Sequence, residues 1–146
     1  MKQAQYFTDH SADIKKFKYW TLMLHSNQSY LGRSICYLNT YKETLAELAE
    51  DEYLELLEII KQYQTALSKL WHPDGWNYAQ LGNVVPHLHV HFIPRYKNTI
   101  TWEGAVFTDE RWGNHYAPAT IRAEDKNINK KILRAIQGEL DSSTST

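Results

Sequence analysis

Between positions 86 and 94 the chain alternates histidine with apolar residues, the pattern of a β-strand that is buried on one face. Successive side chains of a strand point to opposite faces, so three imidazoles would line one face and three apolar side chains the other. The apolar face requires a core beneath it, and this strand must therefore belong to a sheet that is covered on one side. The alternating residues are His87, Leu88, His89, Val90, His91 and Phe92.

Three histidines on one strand face indicate a functional site. The chain has only seven histidines in total, and three at strict period two are hard to explain by packing alone. A single histidine beside an apolar strand would more often be a structural residue. We therefore expect the triad to carry the chemistry of this protein.

The rest of the chain predicts an α+β fold, in which helices pack on one antiparallel sheet of about five strands. Apolar and aromatic runs between turn residues predict strands over residues 17–25, 34–39, 76–80 and 84–93. A helix is predicted from Thr40, with Glu43 completing a capping box. Apolar residues at steps of three and four predict a long helix over 50–71 and a last helix over 124–140. The first 16 residues are expected to form a short helix or a loop.

Length and composition exclude several classes of protein. At 146 residues and 17.1 kDa the chain is the size of one domain, assigned to residues 1–140 and followed by a flexible polar tail at 141–146. Sixteen Lys and Arg against 17 Asp and Glu argue against a nucleic-acid partner. No apolar stretch of about 20 residues predicts a membrane span, and the N-terminus lacks the pattern of a secretory signal. The single Cys36 excludes an intramolecular disulfide, so we expect a soluble cytoplasmic protein.

Metal binding and nucleophilic catalysis are the two chemistries that such a histidine face offers. Histidine is the commonest metal ligand, but the outer two of three alternate strand residues lie about 13 Å apart. Zinc binds imidazole nitrogen at about 2.0–2.1 Å, and no cysteine cluster is present to complete a metal shell. A neutral imidazole facing a phosphoryl group can instead displace a leaving group while its neighbours donate hydrogen bonds or a proton. The residues therefore favour nucleophilic catalysis, with no metal and no cofactor.

The sequence resembles the histidine triad (HIT) family of nucleotide hydrolases and transferases. His-Leu-His-Val-His-Phe-Ile fits the family signature, in which apolar residues separate three histidines. The similarity extends to the preceding strands and the long helix, in the usual order of a HIT domain, and covers residues 17–97. It implies a HIT-like antiparallel sheet, a nucleotide substrate and a homodimer, with residues 98–140 as a C-terminal extension.

The resemblance also implies a role for each histidine of the triad. The middle one, His89, corresponds to the nucleophile that attacks the α-phosphate and becomes nucleotidylated. His87 corresponds to a residue that supports the site and the orientation of the nucleophile. His91 corresponds to the residue near the scissile phosphate and the leaving group.

Nucleotide-binding residues follow from the same resemblance. Asn77 corresponds to a family Asn or Gln that contacts phosphate, and His25 to an Asp or Asn that binds the ribose hydroxyls. The nucleobase pocket of the family is mainly apolar and formed near the first strands, which makes Leu22 and Leu24 candidates for it.

Several positions depart from the family pattern. The family commonly has Gly-Gln-Ser/Thr-Val-x-His before the triad, where this chain has Gly-Asn-Val-Val-Pro-His. Asn83 can still donate to phosphate through its amide, but Val84 has no hydroxyl and offers only its backbone N–H. Arg33 replaces a frequent histidine and is expected either near phosphate or on the surface. Residues 101–118 are expected to form an ordered loop over the pocket or across a dimer partner.

These features predict a hydrolase that cleaves a dinucleoside polyphosphate or a nucleoside phosphoramidate at its α-phosphate through a nucleotidyl-His89 intermediate. A nucleotidyltransferase would use the same intermediate with another acceptor. The missing hydroxyl at Val84 leaves open a nucleotide-binding regulatory module with little turnover. A metal-binding protein is the remaining alternative.

Overall fold

An antiparallel sheet of five strands, in the order β1-β2-β3-β5-β4, lies at the centre of the structure. The computed structural model describes residues 5–117 and 125–144. The strands of the sheet are β1 Asp13–Lys16, β2 Trp20–Leu24, β3 Ser34–Leu38, β4 Gly75–Ala79 and β5 His89–Arg95. The remaining elements are the helices α1 Glu50–Trp71 and α2 Lys126–Thr144 and the hairpin strands β6 Ile100–Trp102 and β7 Ala105–Phe107. The predicted α+β class, with helices packed on an antiparallel sheet, is confirmed.

Helix α1 covers the apolar face of the sheet and has the predicted bounds. Its Ile59, Tyr63 and Leu67 are fully buried at helical spacing, in the same core cluster as Phe92 of β5. The helix ends at Trp71 because His72 takes a left-handed conformation, with φ of 50°, ahead of a proline that cannot continue the helix. This packing holds β5 with its apolar residues on the core and its histidines on the opposite face.

The N-terminal region differs from the prediction in its elements. Residues 13–16, expected as helix or loop, form the edge strand β1 paired with β2. The next strand begins at Trp20 rather than at 17, because the N–H of Phe17 donates to the Trp20 carbonyl and closes a turn between the two strands.

The helix predicted from Thr40 is wrong. The N–H of Leu88 donates to the carbonyl of Lys42, which ties this segment to the start of β5. A short 3-10 turn follows at Leu45–Glu47, capped by the Glu47 carboxylate rather than by Glu43.

Strand β5 is shifted along the chain relative to the prediction. It begins at His89 rather than at 84, so His87 lies in the connection that enters the strand. It also continues through Pro94 to Arg95, where a break was expected. Strand β3 pairs with β5 only as far as Phe92, which leaves one side of β5 without a strand neighbour at the proline.

The C-terminal extension forms a hairpin and a helix. Glu103 and Gly104 both have positive φ and make the two-residue turn between β6 and β7. Helix α2 buries Ile128, Ile132 and Ile136 and packs on α1 and β1. It continues to Thr144, so residues 141–144 of the expected flexible tail are helical. The expected end of the loop at 118, the helix start at 124 and positions 145–146 lie outside the described residues.

Neither helix of the described part of the chain is long and apolar enough to cross a membrane.

Candidate active site

The strand register assembles one face of the sheet around the histidines. Cross-strand partners lie on the same face, and β5 pairs with β3 so that His89 is opposite Tyr37 and His91 is opposite Ile35. In the next strand, Met23 of β2 is opposite Ile35. The floor of the site is therefore a row of two histidines flanked by aromatic and apolar side chains from neighbouring strands.

The backbone fixes the tautomer of His89. Its Nδ1 lies 2.7 Å from the carbonyl oxygen of His87, and because a carbonyl only accepts, Nδ1 must carry the proton. The lone pair of the imidazole is therefore on Nε2, the nitrogen required of a nucleophile. The Nε2–H of His87 in turn donates to the Leu38 carbonyl at 2.6 Å. The end of β3 thus supports the residue that orients His89.

His91 and His25 form a second pair of imidazoles, with ring centroids 6.5 Å apart. Burial, together with the nearby Arg33 guanidinium and other imidazoles, lowers the pKa of each to about 4. The N–H of Asn27 donates to Nδ1 of His25 at 3.0 Å, so the proton of His25 is on Nε2. Nδ1 of His91 is buried without a hydrogen-bond partner. At neutral pH both rings are uncharged, and each can donate to a ligand or accept from it.

The segment before β1 covers the nucleophile. Phe7 stacks on Tyr37, with ring centroids 4.3 Å apart and an interplanar angle of 2°. It also meets His87 and His89 edge-on, at centroid distances of 5.4 and 5.7 Å. His89 is only 7% exposed in this arrangement. A ligand that reaches His89 must therefore pack against Phe7 or move it.

A cavity of about 570 Å³ lies between helix α2 and strands β2 and β3, and its lining residues include His25 but none of the three triad histidines. Met23 and Ile35 contribute its apolar base, and His25 lines one side. Helix α2 contributes two cations to the lining, Lys126 and Lys130, and Asp9 contributes one carboxylate. An apolar base with positive charge at the rim suits a ligand that has both a flat apolar part and an anionic part.

Comparisons with known proteins identify the family of the segment that carries the triad. Residues 35–98 match the HIT domain family. The chain contains a HIT domain. No curated protein matches the sequence.

Solved structures share the fold of this HIT domain. A hypothetical histidine triad nucleotide-binding protein from Sulfolobus tokodaii has 18% identity and a TM-score of 0.68, covering 97% of this chain and 91% of its own. A histidine triad protein from Bradyrhizobium japonicum has 22% identity and a TM-score of 0.68, with coverages of 88% and 89%. A diadenosine triphosphate hydrolase from Plasmodium falciparum, solved with cyclomarin A, has 17% identity and a TM-score of 0.64, with coverages of 94% and 81%.

Leu22 and Leu24, the residues predicted for the nucleobase pocket, are both buried in the structure. Both belong to the core cluster, with exposed fractions of 0% and 4%, and their cross-strand partners place them on the face opposite the histidines. Leu24 is nevertheless one of the residues that line the cavity, whereas Leu22 is not. Met23, between them, lies on the histidine face. Residues two apart on a strand share a face, so the predicted site residue His25 could have pointed to Met23.

The two candidate asparagines are placed differently. Asn77 lies on the histidine face of β4, but its Oδ1 accepts from Arg95 at 2.8 Å and its Nδ2 donates to the Trp76 carbonyl. Asn83 is exposed in the loop before the triad, and no hydrogen bond joins it to a histidine in the described part of the chain. Val84 is beside it, 93% exposed. The structure therefore brings Asn77, but not Asn83, to the histidine face.

Arg33 is buried in this HIT domain, with an exposed fraction of 4%, so the surface alternative is wrong. It lies beside His25, and the main-chain N–H of His25 donates to the main-chain carbonyl of Arg33 at 3.0 Å. The turn that leads into Arg33 requires glycine at position 32, because φ there is 95° and a Cβ would lie 2.6 Å from Leu67. Tyr116 of the C-terminal extension lies over the guanidinium at 5.9 Å. The C-terminal extension therefore contacts Arg33 through Tyr116. An ordered loop over the pocket was one of the two expectations for residues 101–118.

The ring nitrogens that remain free decide how this site could bind a metal ion. The residues that the structure describes contain no group of three or more His, Cys, Asp or Glu able to hold a metal ion. Two triad histidines, His87 and His89, already use one ring nitrogen each on a main-chain carbonyl. A single metal ion would have to draw its ligands from the nitrogens that remain.

Proposed function

We propose that this HIT domain is a hydrolase that cleaves a nucleotide at its α-phosphate through a covalent nucleotidyl-His89 intermediate. The observation that carries the proposal is the hydrogen bond from Nδ1 of His89 to the His87 carbonyl, which leaves the Nε2 lone pair available. A dinucleoside polyphosphate or a nucleoside phosphoramidate is the proposed substrate. The similarity of fold to a diadenosine triphosphate hydrolase is consistent with the first of these.

The first step transfers the nucleotidyl group to the protein. The Nε2 lone pair of His89 forms a bond to the α-phosphorus, and the bond from that phosphorus to the leaving group breaks. His91 is proposed to donate a hydrogen bond, or a proton, to the departing atom. Its low pKa in the unliganded site suits this role, because an anionic phosphate beside the ring raises that pKa and makes a proton available.

The second step is hydrolysis of the phosphorus–nitrogen bond. Water attacks the α-phosphorus, the bond to Nε2 breaks, and a nucleoside monophosphate leaves. The proton lost by the water returns to His91 or to the solvent, and His89 recovers its lone pair. Both steps balance without a metal ion or a redox cofactor.

The cavity lined by His25, whose ring lies 6.5 Å from that of His91, supports a placement for the nucleotide. Met23 and Ile35 offer an apolar base for the nucleobase, and the Nε2–H of His25 can donate to a ribose hydroxyl. Lys126 and Lys130 on α2 supply positive charge at the rim for phosphate. Asn77 can contribute the N–H that it does not use on the Trp76 carbonyl.

Two observations favour a second candidate, a nucleotide-binding regulatory module with little turnover. Val84 has no hydroxyl to offer the leaving group, and Phe7 covers His89. Binding of AMP to the protein without release of product from any substrate would support this candidate over the hydrolase.

The proposal also includes a cytoplasmic homodimer. Helix α1 presents an apolar surface away from the core, with Tyr53 42%, Leu54 56% and Leu57 55% exposed. Side chains of this kind on one helix suit burial against a second protein surface. A second copy of the chain is the proposed occupant.

Steady-state turnover tests the function. We expect the wild type to release AMP from diadenosine triphosphate or from adenosine phosphoramidate, and His89→Ala to reduce the rate to background without loss of thermal stability. His115→Ala is the matched control, because His115 is exposed and outside the triad, and it should keep the wild-type rate. A His89→Ala rate near that of the wild type contradicts the proposal. Formation of a new nucleotide product on addition of phosphate or a sugar phosphate would indicate a transferase.

A further inference from the structure

Arg33 is a buried cation, and two of its guanidinium nitrogens lack hydrogen-bond partners. Its Nε and Nη1 are both buried without a hydrogen-bond partner, and no carboxylate of the described residues forms an ion pair with it. Burial lowers its pKa, as expected for a charge removed from water without an anion beside it. Its guanidinium lies 5.9 Å from the ring centroid of Tyr116, and Tyr30 also acts on it electrostatically, but neutral phenols do not neutralise its charge. An unpaired buried charge is costly, so a structure that keeps one indicates a missing anionic partner.

Arg95 shows how the same protein treats an arginine that has only a structural role. Arg95 is equally buried, at 4% exposed, and Asp109 accepts from both its Nε and its Nη2, at 2.7 and 3.0 Å. Its Nη1 and Nη2 also donate to Asn77 and to two main-chain carbonyls. All three guanidinium nitrogens of Arg95 therefore have acceptors within the protein, whereas Nε and Nη1 of Arg33 have none.

Arg33 lies on the histidine face of the sheet. The residue pairing of β2 and β3 continues past the strand ends, with His25 opposite Arg33. Ile35, two residues further on the same face, is opposite His91, so Arg33 is diagonal to His91, at about 7–8 Å between Cα atoms. Its charge is one of the causes that lower the pKa of both histidines. The guanidinium is thus beside the residue proposed to assist the leaving group.

We propose that Arg33 binds a phosphate oxygen of the leaving group, and so selects substrates whose leaving group is an ionised phosphate over substrates with an uncharged one. The inference rests on the proposed function. Guanidinium N–H groups donate strong, charge-assisted hydrogen bonds to phosphate. The bound phosphate would satisfy Nε and Nη1 and neutralise the buried charge. A dinucleoside polyphosphate fits this arrangement, whereas the leaving group of a simple phosphoramidate, ammonia, gives Arg33 nothing to bind.

Calorimetric binding of AMP and ADP to the wild type, Arg33→Gln and Arg33→His tests the proposal. ADP carries the additional phosphate, so we expect the wild type to bind ADP about tenfold more tightly than AMP or better. Arg33→Gln should lose that difference while its AMP affinity changes little. Arg33→His restores the residue frequent in the family and should recover part of the difference. Lys69→Gln removes an exposed charge from the far end of α1 and should bind both nucleotides as the wild type does.

Kinetics and stability separate this role from a structural one. For Arg33→Gln we expect kcat/KM to fall about tenfold or more with diadenosine triphosphate and to change less than about threefold with adenosine phosphoramidate. The melting temperature should stay at the wild-type value or rise, because an unpaired buried charge has been removed. A large fall in melting temperature with unchanged substrate preference would show a structural role and overturn the proposal.

The outcomes also separate this inference from the proposed function. AMP and ADP binding with equal affinity to the wild type, or a difference that survives in Arg33→Gln, overturns the role of Arg33 and leaves the hydrolase proposal intact. Failure of both nucleotides to bind the wild type overturns both.

Discussion

Each histidine of the candidate active site has a protonation state set by specific neighbours. Main-chain carbonyls accept a hydrogen bond from one ring N–H of His87 and one of His89, while burial keeps His91 and His25 uncharged. These two effects together provide an unprotonated Nε2 on His89 and neutral rings around it. The site is therefore prepared for an anionic ligand before one binds.

The low pKa values predict a pH dependence of stability. His91 and His25 titrate near 4 in the folded protein and near 6.5 when unfolded, so the unfolded chain binds more protons between these values. We expect the free energy of unfolding to fall as pH decreases from about 6.5 towards 4. Denaturant titrations across this range should show a shallower dependence of the unfolding free energy on pH for the double variant His25→Gln, His91→Asn than for the wild type. Equal slopes for the wild type and the double variant would contradict the assigned pKa shifts.

The opposite orientation of neighbouring residues on β2 gives a second prediction. Leu22→Ala removes a fully buried core side chain and should lower the free energy of unfolding by about 2–5 kcal/mol without changing AMP affinity in the folded protein. Met23→Ala should lower the free energy of unfolding only slightly but weaken AMP binding, because Met23 lines the cavity. Chemical denaturation and calorimetry measure the two effects. Weaker AMP binding in Leu22→Ala alone would restore the original assignment.

Among individual residues, the sequence was enough to predict the histidine triad but not the residues that surround it. Period-two alternation places His89 and His91 on one face without any knowledge of the fold. The same alternation could have selected Met23, but the resemblance pointed only to apolar residues near the first strands. The location of Arg33 depended on a turn at Gly32 and on cover from Tyr116, eighty-three positions later in the chain (116 − 33), and such a contact has no local signal.

The segment that follows β5 is held in place by one buried ion pair, between Arg95 and Asp109. Asp109 accepts from Nε and Nη2 of Arg95 and from the main-chain N–H of Tyr96 and Arg111. This network anchors the segment that delivers Tyr116 to Arg33. It also holds Asn77 through Arg95.

Breaking this network should be costly. Asp109→Ala leaves the buried Arg95 charge unpaired, and we expect a loss of about 3–5 kcal/mol in the free energy of unfolding, measured by denaturant titration. The control is Glu103→Ala, which removes an exposed partner of Lys131 at 3.9 Å and should cost less than about 1 kcal/mol. Similar losses for the two variants would show that the Arg95–Asp109 pair does not anchor the extension.

The sequence predicted elements well where one pattern was long and uninterrupted. Helix α1 has 22 residues of apolar periodicity followed by a proline, and its predicted bounds were correct. Strand β1 and the hairpin of β6 and β7 are only three or four residues each, too short for a periodic signal. Their pairing with partners, rather than any preference of their own residues, makes them strands.

For the whole molecule, the exposed apolar surface of α1 is the feature that bears on assembly. We expect the wild type to sediment at twice 17.1 kDa, and Leu54→Glu with Leu57→Glu to sediment at the monomer mass, because charges on this surface oppose its burial. Val106→Glu, at a side chain of similar exposure on β7, should remain a dimer. A wild-type monomer at all concentrations, or a dimer that survives the double substitution, would contradict the proposed interface.

The covalent intermediate is the central claim, and intact-mass spectrometry tests it most directly. The wild type and His89→Ala are each mixed with diadenosine triphosphate or with adenosine phosphoramidate and quenched in base, because phosphorus–histidine bonds are labile to acid. The account predicts an added AMP group on the wild type, absent from His89→Ala and present on the His115→Ala control. An adduct of equal yield on His89→Ala, or AMP release from the wild type with no adduct at any time point, would contradict it.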